Sequence, residues 1–146
     1  MRVRPFVAAD QAAARQLVLE GLGEHFGFVD ERLNPDLKDI QRNYVEAGSI
    51  FVVAEEAGEI IGTGALVPDG ERVRRIVRVS VSPQHRRKGV GKAIVTYLMM
   101  RATYWGDQAL LVETNRDWED AIHLYLTMGF VEYARDSVSI HMQMNL

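Results

Sequence analysis

The stretch 79–91, Val-Ser-Val-Ser-Pro-Gln-His-Arg-Arg-Lys-Gly-Val-Gly, limits the folds open to this chain more than any other. A valine-rich run with strand character passes through a basic loop holding two glycines and opens straight into a helical pattern. Glycines let a backbone approach a ligand closely, and a helix N-terminus presents unpaired N–H groups at the positive end of its dipole. Strand, loop and helix in that order make a phosphate cradle. Two nucleotide readings fail on single residues. A Walker A loop needs glycine at position 86 and Ser or Thr after its lysine. The chain has Arg86 there, and Ala93 follows Lys92, so no hydroxyl is placed to hold magnesium. A dinucleotide fingerprint needs a third glycine where Ile94 stands, and an acidic residue after a second strand.

Around this loop the apolar period switches between strand and helix. Residues 2–7 read as a short strand. Asp10 is positioned to cap a helix over about 11–22, with Ala14, Leu17 and Val18 on one side. Asn34-Pro35 opens a second helix, in which Leu37, Ile40, Tyr44 and Ala47 recur at helical spacing up to Gly48. Then come two β-rich runs, 50–55 and 59–67, joined through Ala57-Gly58, and a turn at Pro68-Asp69-Gly70. The run 72–81 comes next, with Val73, Val77, Val79 and Val81 assigned to one face. A helix over about 90–104 is apolar at Val90, Ile94, Val95, Leu98 and Ala102. The short apolar run 109–113 suits a strand inside a sheet. Trp118, Ala121, Ile122, Tyr125 and Met128 mark one more helix. Val138, Ile140, Met142, Met144 and Leu146 alternate with polar residues, as in a half-buried antiparallel strand. The order β-α-α-β-β-β-α-β-α-β-β, with a three-strand meander inside it, predicts an α+β fold. No linker or repeat interrupts the 146 residues, so the expectation is a single domain, 1–146.

Composition removes other classes. Without cysteine there is no disulfide, thiolate metal site or cysteine nucleophile. No apolar run nears the roughly 20 residues that span a bilayer, and the start carries no apolar signal region. A cytoplasmic protein with no membrane partner is the expectation. The net charge of -3 hides two unlike regions. Between positions 20 and 59 there are ten acidic residues against three basic ones. Between 72 and 92 there are eight basic residues and no acid. Such a pattern suits an anion site beside a surface that attracts cations. The acidic total and the lack of interleaved aromatics in the basic stretch argue against a nucleic-acid partner.

The segment Arg86-Arg87-Lys88-Gly89-Val90-Gly91, an Arg-x-x-Gly-x-Gly pattern after a strand ending Val-x-Val-x-Pro, resembles the acetyl-CoA loop of the GNAT family of N-acetyltransferases. A later stretch, Ala121-Ile-His-Leu-Tyr125-Leu-Thr-Met-Gly129-Phe130, resembles that family's Ala-x-x-x-Tyr-x-x-x-Gly-Phe segment. The two motifs stand in the family's order over about residues 50–133. The resemblance implies a mixed, mainly antiparallel sheet with flanking helices, and direct transfer of an acetyl group from acetyl-CoA to a primary amine. It makes Arg86, Arg87, Lys88, Gly89, Val90, Gly91 and Lys92 the phosphate loop, with backbone amides doing most of the binding. Val79 and Val81 would hold the pantetheine arm and polarise the thioester carbonyl. Asn115 is a further candidate contact with the cofactor. Tyr125 matches the tyrosine assigned as general acid for the departing thiolate.

Two departures from the family pattern stand out. Trp118 replaces the asparagine that many members carry three residues before the alanine of the late helix. Arg75 occupies the place, eight before Pro83, where many have a glutamate base. Glu113 is then the best remaining carboxylate for the base, as a buried group with a raised pKa; an ion pair with Arg78 is its structural alternative. The four histidines lack metal-ligand spacing, so no metal is expected, and His85 is placed on the phosphate loop. Acceptor contacts in the family come from the first helices and from about 133–137. Here Glu24, Phe26 and Phe28 suggest a small-molecule amine, through charge and cation–π contact. A non-catalytic acyl-CoA-binding module of the same fold is the competing function, and a homodimer stays open as the assembly.

Overall fold

Seven strands form one sheet: β1 (Arg2–Pro5), β2 (Ile50–Glu56), β3 (Glu59–Pro68), β4 (Val73–Val81), β5 (Ala109–Asn115), β6 (Val131–Arg135) and β7 (Ser139–Asn145). Their order is β1-β2-β3-β4-β5-β7-β6. All neighbours are antiparallel except β4 and β5, which run parallel. This is the α+β architecture that the element order predicts. The computed structural model describes residues 1–27 and 31–146, without the side chains of His25 and Glu31. Helices α2 (Val90–Tyr104) and α3 (Glu119–Thr127) cover one face of the sheet, burying Ile94, Leu98, Val112, Tyr125 and Met142 in a common core. Helix α1 (Gln11–Phe26) covers the other face at β3 and β4, with Val18, Phe51, Ala65 and Val77 in a second core.

The parallel pair sets up the site. β4 meets β5 only over 73–76 against 109–112. Beyond Ile76, β4 stays with β3 as far as Val81 opposite Gly62, while β5 stays with β7 as far as Asn115 opposite Ser139. The sheet therefore splits into a fork. A β-bulge accompanies the split: Ala65 faces Val77 and Thr63 faces Ser80, so Gly64 alone opposes Arg78 and Val79. Arg78 has φ +57°, a left-handed conformation that costs a non-glycine residue energy. Two contacts hold it there. The buried Thr63 hydroxyl donates to the Arg78 carbonyl at 2.8 Å, and the guanidinium is tied to Asp36 and Asn34.

The bulge corrects the expected single face of Val73, Val77, Val79 and Val81. One extra residue inverts the alternation, so Val77 packs under α1 while Val79 and Val81 pack against the α2 core. Two helix expectations also change. α1 continues a turn past residue 22 and ends at Gly27, which takes the left-handed conformation at φ +77°. The Asp10 side chain makes no cap to α1; it accepts from the Val7 N–H and pairs with Arg4. The helix expected from Asn34-Pro35 to Gly48 is two pieces, a 3-10 turn over Pro35–Lys38 and a π-helical segment over Gln41–Val45. Asp39 breaks the helix with non-helical dihedrals, and its side chain accepts from the Arg42 N–H at 3.0 Å.

Candidate active site

The strand-loop-helix stretch folds as its composition requires. β4 ends at Val81, a 3-10 turn covers Pro83–His85, and α2 starts at Val90. Arg87 and Gly89 both have positive φ, +58° and +84°. The first bond inside α2 runs from the Ala93 N–H to the Gly89 carbonyl, at 3.0 Å. The N–H groups of Val90, Gly91 and Lys92 therefore emerge from the positive end of a 15-residue helix without an intrahelical partner. Gly91 sits closely under α3: a Cβ there would lie 3.3 Å from Leu124, which would have to give by a few tenths of an ångström, and in ordinary contact at 3.7 Å from Val81. Arg87, Lys88 and Lys92 are exposed around this terminus. His85 sits between Ser82 and Glu56, its Nε2 3.4 Å from the carboxylate, and ties the loop to the β2–β3 hairpin.

Arg86 points elsewhere. Its guanidinium grips Glu24 of α1 with both arms, at 2.5 and 2.7 Å, and its Nε donates to the Val81 carbonyl. Two residues given separate roles from sequence, cofactor and acceptor, are thus partners. The other acceptor candidate described, Phe26, lies edge-on to Trp118 at the start of α3, 5.6 Å between centroids. Phe28 lies outside the described residues.

At the bulge, Arg78 is a strap to the 34–45 segment. Nη2 and Nε reach the two Asp36 oxygens at 2.7 and 3.1 Å, and Nη1 reaches Asn34 Oδ1 at 3.1 Å. The Tyr44 hydroxyl donates to the same carboxylate. Burial pushes the Asp36 pKa up, but the hydrogen bonds from Tyr44 and Arg78 outweigh it and hold the group below the usual carboxylate range. The same burial and partner push the Tyr44 hydroxyl up to about 12. This network seats the 34–45 segment beside the bulge.

The family model for the GNAT acetyltransferase domain matches residues 47–132, more than half the chain. The chain belongs to the GNAT acetyltransferase family. N-acetyltransferase 8 of Rattus norvegicus is 38% identical over 109 residues, covering 70% of this chain and 49% of the relative. The chain thus spans about half the length of the curated relatives it matches. A GNAT-family acetyltransferase from Staphylococcus aureus shares the fold at TM-score 0.91, with 19% identity and coverage of 99% of this chain and 98% of that one. So does the PaiA N-acetyltransferase from Thermoplasma acidophilum, solved with coenzyme A, at TM-score 0.86 and 14% identity, covering 99% and 98%. The family's acyl donor is acetyl-CoA, and no described helix is long and apolar enough to cross a membrane.

In this GNAT chain Tyr125 lies on the α3 side of the sheet, 4% exposed, with its ring edge-on to Phe130 at 5.4 Å. Burial alone pushes its hydroxyl above the ordinary tyrosine range, and no described residue accepts its proton. Glu113 departs from expectation. It is 47% exposed, on the face away from α2 and α3, and its neighbour is His141 at 3.5 Å. The alternating burial of β5 sends Val112 and Thr114 into the core and Glu113 outward. The Arg78 pair considered for it does not form, because Asp36 takes Arg78. Asn115 closes β5, and its Oδ1 accepts from the Asp117 N–H at 2.9 Å, shaping the turn into α3. Arg75, at the place of the missing glutamate, pairs with Asp69 at 2.8 Å. Sequence reasoning considered Arg78 only as a partner for Glu113 and did not place it at a bulge, because the Val77-x-Val79-x-Val81 alternation gives no sign of one.

Proposed function

We propose that residues 1–146 act as one acetyltransferase unit that moves an acetyl group directly from acetyl-CoA to the primary amine of a small molecule. The fork is the observation that carries this reading. Past Ile76 the β4 edge facing β5 has no strand partner among the described residues, and that edge leads into a helix terminus with free amides. An extended pantetheine arm can pair with such an edge as a strand would. The amides of 87–92 receive the pyrophosphate, with Arg87, Lys88 and Lys92 adding positive charge around them. Val79 and Val81 present backbone groups to the pantetheine arm and an N–H to the thioester carbonyl. Tyr125 donates to the departing sulfur from the α3 side. Asn115 lies at the β5 tip of the fork, within the cofactor path.

The test is thiol release from acetyl-CoA with a panel of small amines, with the product identified by mass. Amine-dependent release with one acetyl group gained by the amine is expected. Tight coenzyme A binding with no amine-dependent release would leave the chain a non-catalytic acyl-CoA module.

The Arg86–Glu24 pair gives a sharper prediction. Glu24 places a negative charge beside the phosphate loop and occupies the one loop arginine that is not freely exposed. Removing an exposed ion pair is worth up to about 1 kcal/mol, or about fivefold in affinity. Glu24→Gln should therefore tighten coenzyme A binding about three- to fivefold by calorimetry. Weaker binding would mean that Glu24 orients Arg86 toward the phosphates.

A further inference from the structure

The base remains to be assigned, and the first β5–β7 rung beyond the fork supplies one. The last β4–β5 pair is Ile76 with Val112; the next β5 residue, Glu113, is paired in register with His141. Directly paired residues share a face, so both point away from the α2–α3 core, on the part of the sheet that α1 leaves open. His141 Nε2 lies 3.5 Å from Glu113 and 3.6 Å from Asp136. These distances are ion-pair reach, longer than a hydrogen bond. Asp136 is itself held in place: its carboxylate accepts from the N–H groups of Val138 and Ser139, both at 2.8 Å, and Arg116 donates to its carbonyl. The Tyr133 ring packs 6.1 Å from the imidazole. No described residue takes His141 Nδ1.

We propose that His141 is the general base for the acceptor amine. The inference rests on the acetyl-transfer reading above. With Nε2–H directed to the two carboxylates, the Nδ1 lone pair is left to accept a proton. The acceptor ammonium gives that proton to Nδ1, and Glu113 and Asp136 balance the charge the ring acquires. The freed nitrogen lone pair forms the C–N bond at the thioester carbonyl, and the C–S bond breaks. The sulfur leaves with its electron pair, held by a hydrogen bond from the Tyr125 hydroxyl. The newly bonded nitrogen sheds its second proton, which reaches the thiolate through solvent, and His141 then returns its own proton to solvent. Base and acid thus work from opposite faces of the sheet. Glu113 is a positioning residue in this scheme, not the base.

The experiment compares the parent protein with His141→Gln, using two nucleophiles. One is the cationic amine turned over fastest in the panel above; the other is hydroxylamine, which is uncharged near neutral pH. For the cationic amine, kcat/KM should fall about 10²-fold, the usual loss for a general base, and the ascending limb of its pH profile should move up to the amine's own ionisation. Hydroxylamine turnover should fall clearly less than that of the cationic amine, because its lone pair is free to attack with no proton removed first, and coenzyme A affinity should be unchanged. An undiminished rate, or equal losses with both nucleophiles, overturns the assignment. If His141→Gln does not fold, the double variant Glu113→Gln, Asp136→Asn keeps the imidazole. It should slow the cationic amine several-fold and displace its ascending limb, and no change in either would again overturn the assignment. A parent protein inactive with every amine overturns the acetyl-transfer reading, and this inference with it. An active parent with an unimpaired His141→Gln overturns only the inference.

Discussion

Tyr125→Phe lowers kcat by roughly 10²-fold and leaves coenzyme A affinity within about twofold of the parent. The environment of the hydroxyl sets both numbers. The ring is packed in the core against Phe130, so a phenylalanine of nearly the same volume keeps the packing and the fold. The hydroxyl is the only group lost. Burial holds its pKa above the ordinary tyrosine range, so it stays protonated throughout the neutral range and is available as a donor. The leaving thiolate has a reference pKa of about 8.5, so full transfer from such a phenol is uphill. Its main effect is then a hydrogen bond that strengthens as charge gathers on sulfur, which places the loss at the low end of general-acid effects. For the same reason the parent kcat should show no descending limb below about pH 10, the ordinary phenol range. Retained turnover in Tyr125→Phe would remove the acid role and leave Tyr125 a core residue.

Gly64→Ala should destabilise the protein by about 1–2 kcal/mol and weaken coenzyme A binding with it. Two effects oppose each other. Replacing a glycine gains up to about 1 kcal/mol by restricting the unfolded chain. Against this, a Cβ at 64 would stand 2.5 Å from Ile94 Cγ2 and 3.3 Å from Leu98 Cδ1. Ile94 is fully buried and β-branched in a helix, so it has one strongly favoured rotamer and cannot swing aside. The helix must lift, at a cost of about 1–3 kcal/mol for overpacking, and the strain wins. For a domain of this size the melting temperature should drop by roughly 3–8 °C. Because α2 carries the loop amides at its start, its displacement also moves the proposed phosphate site. A melting temperature at or above the parent's would mean that α2 does not rest on the β3 backbone.

Most of the elements were legible because their signals are local. The buried residues of α2 are Val90, Ile94, Val95, Leu98 and Ala102, the five that its period marks. The β2–β3 hairpin turns at Ala57-Gly58, as its sequence suggests, with positive φ at both residues. What was not legible depends on partners distant in sequence. The bulge at Arg78 needs Thr63, Asp36 and Asn34 to hold it, and each lies far along the chain. The break at Asp39 is hidden inside an apolar spacing that a continuous helix would satisfy equally well. Glu113 looked buried because its neighbours are apolar, yet β5 turns it to the open face beside His141. The glycines at 62 and 64 read as part of a β run, with nothing to show that α2 lies against them.

Every role assigned to the site depends on coenzyme A lying along the split edge of β4 and ending on the first turn of α2. Titration of coenzyme A into isotope-labelled protein, followed by backbone amide chemical shifts, tests that placement directly. The largest shifts should fall on 87–92 and on Val79 and Val81, with smaller ones at Asn115 and around Tyr125. Shifts confined to another surface, such as the groove between α1 and the β2–β3 turn lined by Arg4, Gln16 and Glu59, would contradict it.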